Sequence, residues 1–237
     1  MIDNQPLHKA QLSILTALRH TNAARFSDLM QPTGLTSDTF KFHIRKLAHA
    51  GIIEKIATGE YRLTAHGKAI ANITNQETRT IRRQPKLSVL LVVTRQGADG
   101  QTEYVVQRRL RNPFYGYWGF PSGPINWGEM PEQAAHTELK KQTGISADFT
   151  VSGFYREQDI SDDPAKPLED KLFTVLTSVV RDSDDFTHWI GGHNEWMTAR
   201  QLQKQEHFFG SCLEVLAMLD HGQMYSAQTV KLADDEY

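Results

Sequence analysis

Glu129, Glu138, Lys141 and Gln142 are the residues of this chain whose types and spacing pose a question of chemistry. They lie in "GPINWGEMPEQAAHTELKKQTGI", from Gly123 to Ile145. The stretch "EMPEQAAHTELKKQTG" predicts a helix, with Pro131 in its first turn and Gly144 just past its end. Glu138, Lys141 and Gln142 then fall within a turn of one another. A hard divalent cation takes anionic oxygen ligands. Lys141 offers a cation instead and Gln142 a weak neutral oxygen, so Glu129 and Glu138 alone are too few for a catalytic metal. Lys141 could contact a phosphate as a fixed positive charge. Just upstream, "NPFYGYWGFPSG" supplies Phe114, Tyr115, Tyr117 and Trp118, rings that could stack on a nucleobase or pack the core and rim. Further carboxylates in "DISDDPAKPLED" and "RDSDDF" read as acidic surface loops.

The elements that must position these residues are legible on either side. "KLSVLLVVTR" and "TEYVVQRRL" are strand-like runs separated by the turn-rich "QGADGQ". Strand-like "FTVSGFYREQ" and "KLFTVLTSVVR" follow the helix, then "NEWMTARQLQKQ", and a last helix carries Leu213, Val215, Leu216 and Leu219. Cys212, the only cysteine, excludes an intrachain disulfide and suits a reducing cytosol; in "FFGSCLEVLAML" it reads as a small buried residue rather than a catalytic thiol. The longest apolar run, Leu87 to Val93, is too short to span a bilayer, and "MIDNQPLHKAQ" is unlike a signal peptide. A cytoplasmic protein without membrane contact is expected.

Charge divides the chain. Residues 1–86 hold 13 basic and 6 acidic side chains, a net +7, whereas residues 87–237 hold 13 and 22, a net −9. Two domains with different partners are expected, and polyanion binding belongs to the first. In it "HKAQLSILTALRHT" predicts a helix buried through Leu12, Ile14, Leu15 and Leu18. "FSDLMQPTGL" predicts a short second helix stopped by Pro32 and Gly34. A third, "TSDTFKFHIRKLAHAG", opens on a Thr36/Ser37 cap, buries Phe40, Ile44 and Leu47, and closes at Gly51. Its other surface carries Ser37, Lys41, Phe42, Arg45 and His49. "IIEKIATGEYRLT" predicts a hairpin around Thr58-Gly59, and "AHGKAIANIT" returns to helix. The histidines show no metal-ligand spacing, and His43 and His49 read as helix-surface residues.

Residues 7–74, helix, short helix, exposed basic helix and hairpin, resemble the winged helix-turn-helix domain of bacterial and archaeal transcription regulators. The resemblance implies that the third helix enters the major groove while the hairpin touches phosphate or the minor groove. By position, Ser37, Thr39, Lys41, Phe42 and Arg45 would face the groove, with Lys55 and Arg62 flanking the wing. Duplex DNA is the implied partner, read by a homodimer. "NQETRTIRRQPK", residues 75–86, reads as a linker whose arginines either extend phosphate binding or solubilise the joint.

Residues 86–222 resemble the Nudix family, whose signature is G-x5-E-x7-R-E-U-x-E-E-x-G-U, with U a bulky aliphatic residue. Gly123, Glu129, Glu138, Leu139 and Gly144-Ile145 match it, while Thr137 stands for the arginine and Lys141 and Gln142 for the paired glutamates. The family cleaves nucleoside diphosphates linked to another group with Mg²⁺ or Mn²⁺, held mainly by those paired glutamates. The resemblance therefore implies α+β architecture in two domains. A winged helix (1–74) and a linker (75–86) precede a Nudix α/β/α sandwich with a mixed sheet (87–237). The implied function is a transcription regulator whose impaired Nudix-like domain senses a nucleotide-like metabolite. Nudix-related regulators of this kind exist, some responding to ADP-ribose or related metabolites, many with the winged helix second rather than first. The candidate ligand residues are Phe114, Tyr117, Trp118, Gly123 and Lys141, with Glu138 and Glu129 as residual catalytic positions and no cofactor. The alternative is a Nudix hydrolase with an accessory winged helix, for which Mg²⁺ or Mn²⁺ would be required.

Overall fold

A computed structural model describes residues 7–75, 82–161, 167–181 and 186–232. The chain separates into two compact units, Met1–Arg83 and Gln84–Tyr237. Within the expected linker, residues 76–81, including Arg79, lie outside the described residues, as do 162–166 and 182–185 of the two acidic stretches.

The first unit runs α1 (Lys9–Arg19), α2 (Phe26–Met30) with a 3₁₀ turn at Gln31–Thr33, α3 (Ser37–His49), β1 (Ile53–Lys55), β2 (Tyr61–Leu63) and α4 (Ala65–Ile73). The apolar stripes read from the sequence meet in one core: Ile14, Leu15 and Leu18 of α1 pack with Phe40, Ile44 and Leu47 of α3, with Leu29, and with Ile53 and Leu63 of the hairpin. Phe40 is wholly buried, a position where truncation to alanine costs about 3–5 kcal/mol. Chain reversals fall where left-handed backbone is available, at Gly34 (φ 64°), Gly51 (φ 66°) and Gly59 (φ 84°). Two local expectations need correction. Thr36 stands at the cap of α3, but its hydroxyl pairs with that of Thr39 at 3.0 Å rather than with a backbone N–H. His43 is not a surface residue: it is 7% exposed, because His8 stacks on it with ring centroids 4.6 Å apart.

In the second unit the run "LSVLLVV" explains the layers. Successive strand residues point to opposite faces, so its unbroken apolar stretch Val89–Val93 must be covered on both. Strand β3 (Lys86–Gln96) sends Val89, Leu91 and Val93 into a core with Ala134, Ala135 and Leu139 of helix α5 (Pro131–Thr143). Its alternate residues Leu90 and Val92 enter a second core with Leu202 of α6 (Ala199–Gln203) and Val215 and Met218 of α7 (Ser211–Asp220). Around β3 lie β4 (Thr102–Arg109), β5 (Trp118–Gly119), β6 (Ser122–Pro124), β7 (Thr150–Ile160), β8 (Pro167–Val179), β9 (Gly192–Met197) and β10 (Tyr225–Lys231). The path through the sheet is β10-β7-β8-β3-β4-β5, with β6 on β3 and β9 on β4. It is mixed: β3 runs parallel to β8 and antiparallel to β4, and β7 runs parallel to β10 and antiparallel to β8. The molecule is therefore a mixed α+β protein. Among the described residues no helix is long and apolar enough to cross a membrane.

Candidate functional site

The inner face of α5 carries the residues that opened the question. Glu138 is almost fully buried, and both of its carboxylate oxygens are taken by its own helix. Lys141 Nζ lies 3.1 Å from Glu138 Oε1 and 3.3 Å from Oε2, and Gln142 Nε2 donates to Oε2 at 2.7 Å. Gln142, wholly buried, also donates to the Ser122 carbonyl at 3.0 Å and accepts from Gln107 Nε2 at 3.2 Å. Asn194 closes the network, accepting from Gln107 at 3.0 Å and donating to the Gln142 carbonyl at 2.7 Å. Buried amides of this kind are stable only when their groups are paired. Gly123 passes close above them: a Cβ there would stand 2.4 Å from Glu138 Cγ, so only glycine fits. Glu129 has separate partners, the backbone and side-chain nitrogens of Asn126 at 2.9 and 2.8 Å, on an exposed turn. These residues do not fit a divalent cation. The carboxylate such an ion would need is already neutralised by Lys141 and hydrogen-bonded by Gln142.

Beside this network opens a cavity of about 260 Å³. Its walls carry cations from three strands or their ends (Lys86, Arg109, Arg111, Lys171), the carboxylates Glu157 and Glu169, and the rings of Phe114, Phe120, Phe173 and Phe209. Sheet register explains the floor: Lys171 is the neighbour of both Lys86 on β3 and Glu157 on β7. Lys171 Nζ meets Glu157 Oε1 at 2.8 Å and Asp159 Oδ2 at 2.7 Å, with Glu169 at 3.8 Å, while Lys86 pairs with Glu169. Burial alone would lower the pKa of Lys171; Glu157 and Asp159 outweigh it and hold it above the ordinary lysine value. Both lysines are thus engaged by carboxylates.

The arginines are not. Arg109 donates through Nε to the Pro113 carbonyl at 3.1 Å, and Arg111 lies 4.6 Å from the Trp189 ring centre. Among the described residues neither joins an ion pair. Burial brings Arg109 down to about 10 and lowers Arg111, leaving both protonated at neutral pH. Two partly buried guanidiniums outside any such ion pair, beside aromatic walls, suit an anion that carries a ring.

Of the ligand residues expected from the sequence, Phe114 and Gly123 line the cavity; Tyr117, Trp118 and Lys141 do not. Trp118 belongs to the α6–α7 core, because β5 pairs with β4 and turns the indole inward. Tyr117 stacks on His207 at 5.2 Å. Lys141 is paired with Glu138 at 3.1 Å. Sequence reasoning missed Arg109, Arg111, Lys171, Glu157 and Glu169. The run "QRRLRN" after a strand was the available signal for the arginines. Cys212 lines the cavity wall but is buried, which pushes its thiol up to about 12.

Ser37, Thr39, Lys41, Phe42 and Arg45 are all exposed on α3, as are Lys55 and Arg62 on the hairpin. Arg62 is paired with Glu54 at 2.7 Å, which offsets its charge. Lys41 and Arg45 join no ion pair among the described residues.

A mixed sheet between helices, with the glycine–glutamate–helix framework packed on one face over the central strand β3, defines a Nudix-type domain. The NUDIX domain family matches residues 84–212, more than half of the chain, and the chain belongs to that family. Over 42 residues it is 40% identical to the 8-oxo-dGTP diphosphatase of Proteus vulgaris, a match taking in 18% of this chain and 38% of that protein. Among solved structures, the NUDIX domain of Shewanella oneidensis NrtR in complex with ADP ribose superposes with a TM-score of 0.51 at 17% identity. That match covers 67% of this chain and 98% of the NrtR domain. A MutT protein of Methanosarcina mazei gives 0.45 at 16% identity, over 59% and 96%. At these identities the likeness establishes the fold alone.

Proposed function

We propose that the chain is a DNA-binding regulator whose Nudix domain binds a nucleotide-like, diphosphate-bearing metabolite without hydrolysing it efficiently. One observation carries the reading. The Glu138 carboxylate of α5 is closed off by Lys141 and Gln142, while Arg109 and Arg111 join no ion pair among the described residues and line the adjoining cavity. Such a site keeps the attraction for phosphate and loses the means of activating water. The ADP ribose held by the NrtR domain is a ligand of this chemical type. For the first unit, the order α1–α2–α3–hairpin–α4, with Lys41 and Arg45 exposed on α3, supports a winged helix that lays α3 in the major groove as a dimer reading two half-sites.

The test is reciprocal. ADP ribose, ADP and other dinucleotide or sugar-nucleotide probes are screened by thermal shift with and without Mg²⁺. A stabilising probe is then titrated against a complex of the full chain with duplex DNA. A useful sensor couples the two by about 1–3 kcal/mol, roughly 5–150-fold in affinity, and by the same factor in either direction. A probe that saturates the cavity and leaves DNA affinity unchanged refutes the regulator. The match to an 8-oxo-dGTP diphosphatase favours the second reading, a hydrolase with an accessory unit. Mg²⁺-dependent turnover at about 1–10³ per second would establish it.

A further inference from the structure

Phe42 breaks the pattern of its helix. The other large apolar residues of α3, Phe40, Ile44 and Leu47, are 3% exposed or less, whereas Phe42 is 57% exposed. Single exposed apolar side chains are common and need no explanation by themselves. What sets this one apart is its bracing and its company. The ring meets the edge of His43 with centroids 5.5 Å apart, and His43 stacks on His8 at 4.6 Å. His8 is itself fixed as the cap of α1, accepting from the Ala10 N–H at 3.2 Å while its own N–H donates to Gln11 at 2.9 Å. His43 Nδ1 is the buried side-chain polar atom without a hydrogen-bond partner among the described residues. Burial first, then His8 and Lys46, lowers the His43 pKa. A row of three rings thus holds Phe42 outward, and a side chain already held loses less freedom on binding.

Its surroundings say what it meets. Asp38, Thr39, Lys41, Arg45 and Lys46 are exposed around it, three cations to one carboxylate, and Lys46 Nζ stands 5.8 Å from the ring centre. A protein partner would call for a wider apolar patch and fewer lysines. A lone ring among cations fits a polyanion whose surface offers an isolated apolar group. The major groove of DNA is such a surface, where the C5-methyl of thymine stands among hydrogen-bonding edges.

We propose that Phe42 is a base-reading residue: with α3 in the major groove, its ring packs on a thymine methyl and sets a preference for an A·T pair there. The inference rests on the DNA-binding reading above. To test it, full-length protein selects duplexes from a random-sequence pool, and each thymine of a selected duplex is replaced in turn by uracil, which lacks the methyl. Uracil should weaken binding about fourfold at one position of each half-site, the worth of one buried methyl at ~0.8 kcal/mol. Phe42→Ala should bind the thymine duplex more weakly and lose the thymine–uracil difference, whereas Phe42→Leu should keep most of it. A flat uracil scan on a tightly bound duplex overturns the role of Phe42 and leaves the DNA reading standing. Discrimination that survives in Phe42→Ala also overturns it. So does a Phe42→Ala variant that turns a dimer into a monomer while the scan stays flat, since α3 would then be a protein interface. Recovery of no duplex overturns the DNA reading itself.

Discussion

Replacing Gln142 by glutamate tests whether the altered box is held by the amide network described above. The change is nearly isosteric but removes a donor. In the native site Gln142 Nε2 supplies bonds of 2.7 Å to Glu138 and 3.0 Å to the Ser122 carbonyl. An ionised carboxylate would set oxygen against oxygen at both, at a position with no solvent exposure. Lys141 can offset only part of this, because it already serves Glu138 and its side chain is 54% exposed. A buried charge left uncompensated costs about 3–5 kcal/mol. The introduced carboxyl escapes some of that by keeping its proton, which raises its pKa in the folded state. At about 2–4 °C per kcal/mol for a domain of this size, Gln142→Glu should lower the unfolding temperature of the second unit by roughly 6–20 °C near neutral pH. The sign of the pH dependence follows. With the folded pKa raised, the native state holds a proton that the unfolded state releases, so stability falls as pH rises above the unfolded carboxyl value near about 4.3. Calorimetry at about pH 5 and about pH 8 should therefore show the smaller loss at the lower pH. No loss at either pH, or an equal loss at both, would refute the network.

Restoring the full box with Thr137→Arg, Lys141→Glu and Gln142→Glu should create Mg²⁺ binding absent from the parent, read by calorimetric titration; no gain would show that α5 is misassigned. Arg109→Ala should weaken any diphosphate probe found by thermal shift by about 10-fold or more, the ~1.5–3 kcal/mol of a hydrogen bond to a charged group. Unchanged affinity would place the ligand elsewhere. Lys41→Ala with Arg45→Ala should weaken duplex binding and reduce the log–log salt slope by roughly 0.9 for each phosphate no longer neutralised. Duplex binding as tight as the parent's would exclude α3 as the groove helix.

Most helices and the long strands, and part of each of the three cores, were legible because periodicity reports burial directly. The run "KLSVLLVVTR" read as a strand, and the 3- and 4-residue spacing of α3 forecast Phe40, Ile44 and Leu47 as core, as they are. β10 was not foreseen: "YSAQTVK" alternates exposed and half-buried residues and has little apolar signal of its own. The box could be read as altered, since a lysine at a carboxylate position inverts its charge wherever the helix lies. What took its place could not be read. Gln107 and Asn194 reach Gln142 from strands β4 and β9, 35 and 52 residues away in sequence. The lysine–carboxylate floor likewise depends on β3, β7 and β8 lying side by side. His43 was misread for the same reason, since the residue that covers it belongs to the cap of another helix.

Charge in the cavity separates binding from catalysis. Lys86 and Lys171 face three carboxylates, Glu157, Asp159 and Glu169, so part of that negative charge is left to Arg109 and Arg111, which join no ion pair among the described residues. The two guanidiniums give the wall a surplus of positive charge that would draw a phosphate without a metal. They meet the phosphate's charge in the ground state, before any bond is broken. Hydrolysis would require something more, an activated water and charge placed where it develops in the transition state. Those are the contributions a metal on α5 would make, and Lys141 and Gln142 have closed that position with hydrogen bonds of their own. A site that holds a ligand equally well before and during reaction gains affinity and no rate. Slow turnover, where assays find it, would support the proposed sensor, because a ligand destroyed on the timescale of DNA binding could not report its own concentration.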